Sequence, residues 1–198
     1  VWLAASTRDG EESLILDALK NIDLPKLLLI LVPRHPQRFD EVAALVQARG
    51  LHLRRRGEGE LPNGETQVWL GDSMGEMAAY YAASDLALIG GSLLPFGGQN
   101  LIEAAACGCP VVVGPHTFNF AQAADDAVAC GAAQRVGNIE ELATAVGHLL
   151  STPEARVDMK EKAIAFSQSH QGATARTMAL LEPLLSAQRQ DATAAAAR

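Results

Sequence analysis

Two short segments carry polar side chains whose types and positions suit the binding of a small anionic ligand. Arg34 follows the rigid Pro33 after an apolar run, and its guanidinium could offer a fork of N–H donors to a phosphate. Asn100 opens a helical pattern behind a glycine-rich stretch, where free backbone N–H groups attract an anion. Glu103 lies one helical turn further on, where a carboxylate suits a sugar hydroxyl. This combination predicts a nucleotide or nucleotide-sugar site. The alternatives are that Arg34 forms an ion pair with a carboxylate on the surface and that Glu103 simply faces solvent.

The segment from Gly71 to Glu76 permits two interpretations. In the first, Asp72 or Ser73 caps a helix and Glu76 lies in its first turn as part of a capping box. In the second, the backbone of Met74–Glu76 lines a pocket for a base or a phosphate. The residues alone do not separate the two.

Two clusters of charged residues have structural explanations as well as functional ones. Asp9, Glu11 and Glu12 follow the first apolar run, and paired carboxylates can perform acid–base chemistry when burial separates their pKa values. Acidic residues are also favoured at helix starts, so we assign no catalysis to them. The run Arg54–Arg56 fits a solvated strand edge or turn, or a contact with an anion or partner.

The composition indicates one well-packed α/β domain, because 48% of the 198 residues are hydrophobic and 20% are charged. A net charge of −7 disfavours nucleic acid as a partner, since neutralising phosphates needs a basic surface. Cys107, Cys109 and Cys130 lack the second pair of thiols that a zinc site needs, so we expect small buried residues and no metal. No apolar run approaches the length of a membrane span.

Apolar strand-like runs alternate with helix-period segments along most of the chain. Strands are expected at residues 1–6, 27–32, 51–55 (at an edge), 67–70, 86–89, 110–113 and 133–136, and helices at 11–21, 36–49, 74–84, 100–107, 118–130, 138–150 and beyond 153. The strands lack polar alternation, which is typical of a parallel sheet that is covered on both sides. The expected fold is therefore α/β, a Rossmann-like doubly wound parallel sheet with helices on both faces.

Polar and glycine residues follow the expected strands at their carboxyl ends. These residues are Ser6-Thr7, Pro33-Arg34-His35, Gly71-Asp72-Ser73, Gly90-Gly91 and Gly114-Pro115-His116. The carboxyl ends of parallel strands meet at one edge of a sheet, and ligands of doubly wound sheets bind there. The dinucleotide-binding glycine fingerprint and the P-loop are both absent from the sequence, which disfavours a dehydrogenase or a P-loop kinase.

Five segments, in this order, resemble the C-terminal domain of 3-deoxy-D-manno-octulosonic acid (Kdo) transferases of Gram-negative bacteria. They are Ala5–Glu12, Val32–Pro36, Gly71–Glu76, Gly90–Ser92 with Gly97–Asn100, and Gly114–Phe120. The last segment, Gly-Pro-His-Thr-Phe-Asn-Phe, is much more specific than any spacing of glycines. The resemblance covers roughly residues 1–150 with strong motifs and the C-terminal helices only weakly.

The resemblance implies the C-terminal half of a GT-B glycosyltransferase, whose two Rossmann-like domains face a cleft. The donor would be the nucleotide sugar CMP-Kdo and the acceptor a lipid A precursor, with no cofactor and no metal. The CMP-binding residues carried over by position are Pro33, Arg34, Met74, Gly75, Glu76, Asn100, Leu101, Ile102 and Glu103. Further residues of the donor site could be Ser6, Thr7, Gly91, Ser92, Gly98 and Gln99.

The chain departs from the family pattern at Arg8 and Gln99, where the family usually has His, and both side chains can still donate hydrogen bonds. The family's catalytic base is a Glu of the N-terminal domain, so no residue here is expected to be catalytic. The chain starts within a strand pattern, which suggests a fragment without the acceptor domain and without the segment that contacts the cytoplasmic face of the bacterial inner membrane. Residues 1–188 would form the CMP-Kdo binding domain and 189–198 a disordered tail.

Two alternatives remain open on the sequence alone. The first is another GT-B glycosyltransferase, or an epimerase, that uses a UDP-sugar. The second is a non-catalytic nucleotide-binding or interaction module with a degenerate pocket.

Overall fold

In the computed structural model, which describes residues 1–170 and 177–183, seven parallel strands form one sheet. The strands are β1 (Trp2–Thr7), β2 (Leu29–Pro33), β3 (Leu53–Arg55), β4 (Val68–Leu70), β5 (Leu86–Ile89), β6 (Val111–Val113) and β7 (Ala133–Arg135). Their order is β3-β4-β2-β1-β5-β6-β7, so the chain winds outward from β1 in one direction and from β5 in the other. The topological switch point of this doubly wound sheet lies between β1 and β5.

Helices cover both faces of the sheet, as the sequence predicts. They are α1 (Glu11–Lys20), α2 (Phe39–Ala48), α3 (Met77–Ala82), α4 (Ile102–Ala106), α5 (Ala121–Ala129), α6 (Ile139–Ser151) and α7 (Pro153–Ser169). Trp2 and Ala4 of β1 pack in one apolar cluster with α1, α2 and α6. Leu3 and Ala5 pack in a second cluster with α3, α4 and α5. Successive side chains of a strand point to opposite faces, so this division confirms that both faces are buried.

Several helices start later than their sequence pattern predicts. Residues Pro36–Arg38 form a 3-10 turn before α2, and Phe118–Phe120 form another before α5. Helix α3 begins at Met77 because Gly75 has a left-handed backbone with φ 80°, which a continuous helix cannot contain. The cap of α6 is as expected, since the Asn138 side chain accepts a hydrogen bond from the backbone N–H of Glu141 at 2.8 Å.

The chain divides into two compact units, Val1–Ser167 and Gln168–Arg198. All the candidate site residues belong to the first unit, and in the second unit residues 177–183 are helical. The domain boundary expected at residue 188 and the tail expected at 189–198 lie outside the described residues. Among the helices that are described, none is both long and apolar enough to cross a membrane.

Candidate functional site

The structure brings the segments that follow β4, β2, β1 and β5 together at the carboxyl edge of the sheet. The backbone N–H of Gly71 donates to the Leu31 carbonyl at 2.9 Å, and that of Arg34 donates to the Thr7 carbonyl at 3.0 Å. The N–H of Gly90 donates to the Ala5 carbonyl at 2.8 Å. Neighbouring strands are about 4.8 Å apart, so these four segments span roughly 14 Å of the edge.

Arg34 is an exposed cation at this edge. Within the described part of the chain, its side chain has no hydrogen bond or ion pair, so the alternative of a surface pair with a carboxylate is not what the structure shows. Its backbone is fixed by the bond to Thr7, directly after the buried Pro33. Arg34 is therefore positioned at the carboxyl edge with its N–H donors available to an anion.

The segment after β4 forms a turn whose side chains bond to each other. Ser73 donates a hydrogen bond to the Glu76 carboxylate, and Arg56 pairs with the same carboxylate at 2.7 Å. The hydrogen bonds from Ser73 and Arg56 lower the pKa of Glu76. No side chain caps α3, so the capping-box interpretation of Ser73 and Glu76 is wrong. The Met74 side chain, 63% exposed, lies at the tip of this turn, before Gly75.

Two of the three consecutive arginines, Arg55 and Arg56, hold this turn in place. Arg54 pairs with Glu60 at 3.2 Å, and Arg55 pairs with the nearly buried Asp72 at 2.7 Å. Asp72 also accepts the backbone N–H of Gly57 at 2.5 Å, and Arg56 holds Glu76 as described above. Each positive charge of the run is thereby matched by a carboxylate, which favours the explanation as a strand edge over an anion-binding cluster.

The loop between β5 and α4 lies very close to the backbone of β1 and to Gly114, which follows β6. A Cβ atom added to Gly90 would lie 2.4 Å from the Ser6 carbonyl oxygen, and one added to Gly114 would lie 2.2 Å from the Ser92 carbonyl oxygen. Gly91 has φ 71°, in the left-handed region that glycine adopts without strain. Ser6 reaches φ 56° without being glycine, at the irregularity where β1 leaves its pairing with β2. The backbones of β1 and β5 therefore meet tightly beside the switch point.

The Glu11 side chain holds the backbone of the same loop through hydrogen bonds. Its carboxylate is fully buried and accepts backbone N–H bonds from Gly91 at 2.6 Å, Leu93 at 2.9 Å and Arg8 at 2.8 Å. Burial raises the pKa of Glu11, and the hydrogen bonds from these N–H groups oppose the rise. The carboxylate joins the start of α1 to a loop about eighty residues away in sequence.

Glu12 forms a second buried acidic contact. It accepts a hydrogen bond from the Thr7 hydroxyl at 2.7 Å and two from Arg38, at 2.7 and 3.1 Å. Arg38 also pairs with Glu41 at 2.9 Å. Burial lowers the pKa of Arg38, but the hydrogen bonds to Glu41 and Glu12 outweigh it and raise the value. These partners satisfy the Glu12 charge and fix the end of β1.

Asn100 and Glu103 lie on one face of the start of α4, as their spacing predicts. The Asn100 amide donates to the Glu103 carboxylate at 3.2 Å, and its oxygen accepts the Ile102 backbone N–H at 3.0 Å. Glu103 is exposed and Asn100 half-buried. Helix α4 itself has five residues, so the side chains at its start offer more to a ligand than its dipole does.

The candidate residues differ in what they can offer a ligand. The side chains of Thr7, Ser92 and Leu101 are buried, and the Ser92 hydroxyl donates to the Ile89 carbonyl and accepts the Gly114 N–H. For these residues only the backbone could face a ligand. Candidates with exposed or half-buried atoms are Ser6, Arg34, Met74, Gly75, Glu76, Gln99, Asn100, Ile102 and Glu103.

The described residues contain no cluster of His, Cys, Asp or Glu that could hold a metal ion. Cys109 is buried, as expected, and burial raises its pKa to about 12. Cys107 is half-buried, and the expectation of burial is wrong for Cys130, which is exposed at the end of α5.

Sequence reasoning missed the structural role of Glu11, Glu12 and Arg38. Two adjacent carboxylates that follow a strand and a glycine fit ordinary residues of a helix start. A signal was nevertheless present, because Glu12 lies on the same face of α1 as the apolar Ile15 and Leu16, at helical spacing. An acidic residue on a buried face requires a partner.

Residues 14–166 match the protein family described as Glycosyl transferases group 1. The chain is 50% identical over 188 residues to a 3-deoxy-D-manno-octulosonic acid transferase of Bordetella pertussis, which covers 91% of this chain and 44% of that protein. A transferase of the same description from Haemophilus influenzae is 41% identical, with 93% and 44% covered. The chain therefore spans less than half the length of these relatives.

Among solved structures, the chain is similar to the C-terminal CMP-Kdo binding domain of WaaA from Acinetobacter baumannii. The sequences are 38% identical and the TM-score is 0.80, with 84% of this chain and 88% of that one covered. The doubly wound sheet with its helices thus matches the C-terminal domain of a GT-B glycosyltransferase, which confirms the fold that the family resemblance implies. The chain belongs to the group 1 glycosyl transferases, and within them it is similar to the C-terminal domain of the 3-deoxy-D-manno-octulosonic acid transferases.

Proposed function

We propose that this chain binds CMP-Kdo and is the donor-binding half of a Kdo transferase. The observation that carries the proposal is Arg34, a cation without a carboxylate partner in the described structure, at the carboxyl edge between the turn after β4 and the loop before α4. The similarity to a CMP-Kdo binding domain, at 38% identity, supports the choice of ligand.

The geometry supports a division of roles along the edge. Arg34 and the backbone after Pro33 would contact the phosphate of CMP. The turn Met74–Glu76, with its exposed methionine, would contact the base, and Glu103 would accept hydrogen bonds from the ribose hydroxyls. Asn100 orients Glu103 through the 3.2 Å hydrogen bond between their side chains. Leu101 and Ile102 would contribute backbone atoms, and Ser6, Gly91, Gly98 and Gln99 would line the sugar end.

In the whole protein, we propose that Kdo is transferred to a lipid A precursor at the cytoplasmic face of the bacterial inner membrane, as the family resemblance implies. A general base in the N-terminal half would remove a proton from the acceptor hydroxyl, which attacks the anomeric carbon and expels CMP with inversion. This chain would hold the donor and stabilise the departing phosphate through Arg34 and the start of α4. Because Arg34 supplies the positive charge, the proposal includes no metal and no cofactor.

Calorimetric titration of the chain with CMP tests the donor site. Arg34→Ala and Glu103→Ala should each weaken CMP binding by about tenfold or more, because each removes a hydrogen bond that involves a charged group. Arg135→Ala, which removes an exposed arginine paired with Asp125 at the end of β7, is the matched control and should bind CMP like the wild type. Equal affinity in all these proteins would overturn the site assignment.

Two further outcomes address the alternatives. A preference for UMP or UDP over CMP would indicate a donor with a uridine nucleotide. Failure of the wild type to bind any of these nucleotides would indicate an interaction module instead of a donor site.

A further inference from the structure

Two arginines of the described chain, Arg8 and Arg34, have no carboxylate partner. Every other arginine of residues 1–170 forms an ion pair with Asp or Glu: Arg38, Arg49, Arg54, Arg55, Arg56, Arg135 and Arg156. Arg8 and Arg34 follow adjacent strands, because Thr7 of β1 is in register with Pro33 of β2. Two arginines without carboxylate partners therefore follow neighbouring strands at the carboxyl edge, in a chain whose net charge is −7.

Arg8 is held in place at its backbone and at its guanidinium. Its N–H donates to the Glu11 carboxylate at 2.8 Å, and its carbonyl accepts the Glu11 N–H at 3.0 Å. The guanidinium carbon lies 4.8 Å from the centre of the Phe96 ring, which is the distance of a cation–π contact. A guanidinium that stacks on an aromatic ring keeps the N–H groups in its own plane free, in the fork that matches a carboxylate.

Arg8 also lies at the topological switch point. A Cβ atom added to Gly91 would be 3.5 Å from Cγ of Arg8 and 3.4 Å from Nε2 of Gln99. The two side chains therefore flank the left-handed glycine that follows β5, with Arg8 at the end of β1. Ligands of doubly wound sheets bind in the crevice at this point.

We propose that Arg8, with Gln99 beside it, binds the carboxylate of the donor sugar and so selects an acidic sugar. The proposal rests on the proposed function. The donor CMP-Kdo has two anionic groups, the phosphate of CMP and the carboxylate of the octulosonic acid, and the edge offers two cations without carboxylate partners. Arg34 faces the phosphate and Arg8 faces the carboxylate, so Arg8 contributes to the affinity for the sugar and not to the affinity for CMP.

Titration of the chain with CMP and with CMP-Kdo separates these contributions. The wild type should bind CMP-Kdo more tightly than CMP. Arg8→Gln should weaken CMP-Kdo by about tenfold or more and change CMP by less than about twofold, because only the sugar loses a charged hydrogen-bonding partner. Arg8→Lys keeps the charge but not the fork of N–H donors, so its affinity for CMP-Kdo should lie between those of the wild type and Arg8→Gln. Gln99→Leu should show the same pattern with a smaller loss.

Two controls complete the design. Arg34→Gln should weaken both ligands by the same factor, and Arg135→Gln, which removes a positive charge near the end of β7, should change neither. Thermal unfolding of each variant verifies that it is folded at the temperature of the titration.

The outcomes separate this inference from the proposal it rests on. If Arg8→Gln and Arg8→Lys bind CMP-Kdo as the wild type does, or weaken CMP and CMP-Kdo equally, Arg8 is not the carboxylate receptor, and the CMP site stands. If the wild type binds CMP but gains nothing from the sugar, the inference is likewise overturned. If the wild type binds neither ligand, the donor site itself fails.

Discussion

Replacing Gly90 by alanine should distort the site and destabilise the fold together. The added Cβ would lie 2.4 Å from the Ser6 carbonyl oxygen and 2.7 Å from the Ala5 carbonyl oxygen. Real Cβ contacts essentially never fall below 3.0 Å, so the two backbones must separate by at least 3.0 − 2.4 = 0.6 Å. Strand β5 cannot move away freely, because it pairs with β1 on one side and β6 on the other. Overpacking of this kind costs about 2–3 kcal/mol.

Guanidinium unfolding measures this cost directly. Trp2, which is fully buried in β1, and the half-buried Trp69 of β4 provide the fluorescence signal. The matched control is Gly64→Ala, because a Cβ atom at Gly64 meets nothing within 4 Å and its φ lies outside the left-handed region. That substitution should leave stability unchanged or raise it by a few tenths of a kcal/mol, at most about 1. For a chain of this size, the Gly90→Ala loss corresponds to a fall in melting temperature of roughly 5–10 °C.

The result for Gly90→Ala is decisive only in comparison with the control. An unfolding free energy equal to that of Gly64→Ala, with an unchanged denaturant slope, would show that β1 and β5 do not meet as closely as described. The CMP-Kdo affinity of Gly90→Ala should also fall, since Ser6 and Gly91 line the sugar end of the proposed donor site.

Two further predictions concern buried groups. Glu11→Gln should lower the free energy of unfolding in urea by about 1–2 kcal/mol and speed hydrogen exchange of the Leu93 N–H. One carboxylate oxygen accepts the N–H groups of Gly91 and Arg8, and the other accepts that of Leu93. In the glutamine variant the second oxygen becomes an NH₂ group, which cannot accept the Leu93 N–H. Unfolding at the wild-type urea concentration would show that this carboxylate does not secure the loop. Since burial raises the pKa of Cys109 to about 12, its thiol stays protonated at pH 8, so iodoacetamide should modify the exposed Cys130 and spare Cys109 until the chain is unfolded. Peptide mass spectrometry reads this out, and equal labelling of the two cysteines in the folded chain would contradict it.

The sheet could be predicted from the sequence because its signals are local and repeated. Each strand is an apolar run without polar alternation, and the polar residues that follow each strand identify the carboxyl edge. The edge strand that the sequence predicts at residues 51–55 is confirmed as β3 (Leu53–Arg55), which lies at an edge of the sheet. The family resemblance added the ligand and the residues carried over by position, and no residue pattern alone would have distinguished CMP from another nucleotide.

The parts that sequence reasoning missed depend on contacts between distant segments. Ser73 and Glu76 fit a capping box by spacing, but the left-handed Gly75 lies between them and Arg56 engages Glu76. Glu11 fits a helix start, but its partners Gly91 and Leu93 are far away in the chain. Local propensity accounts for the backbone position of each of these residues, but it does not predict which distant residues the folded sheet places in contact with them.

The central place of β1 has a consequence for how the protein acquires its binding site. Trp2 pairs with Leu29 on one side and with Leu86 on the other. The second pairing joins residues that are 84 positions apart in the sequence. Parallel pairing over such distances forms slowly, since the chain must close a long loop first. The proposed donor site requires β5 to be paired with β1, so recovery of nucleotide affinity during refolding would report when this pairing forms. A nucleotide that binds only the completed sheet would stabilise the folded state by mass action.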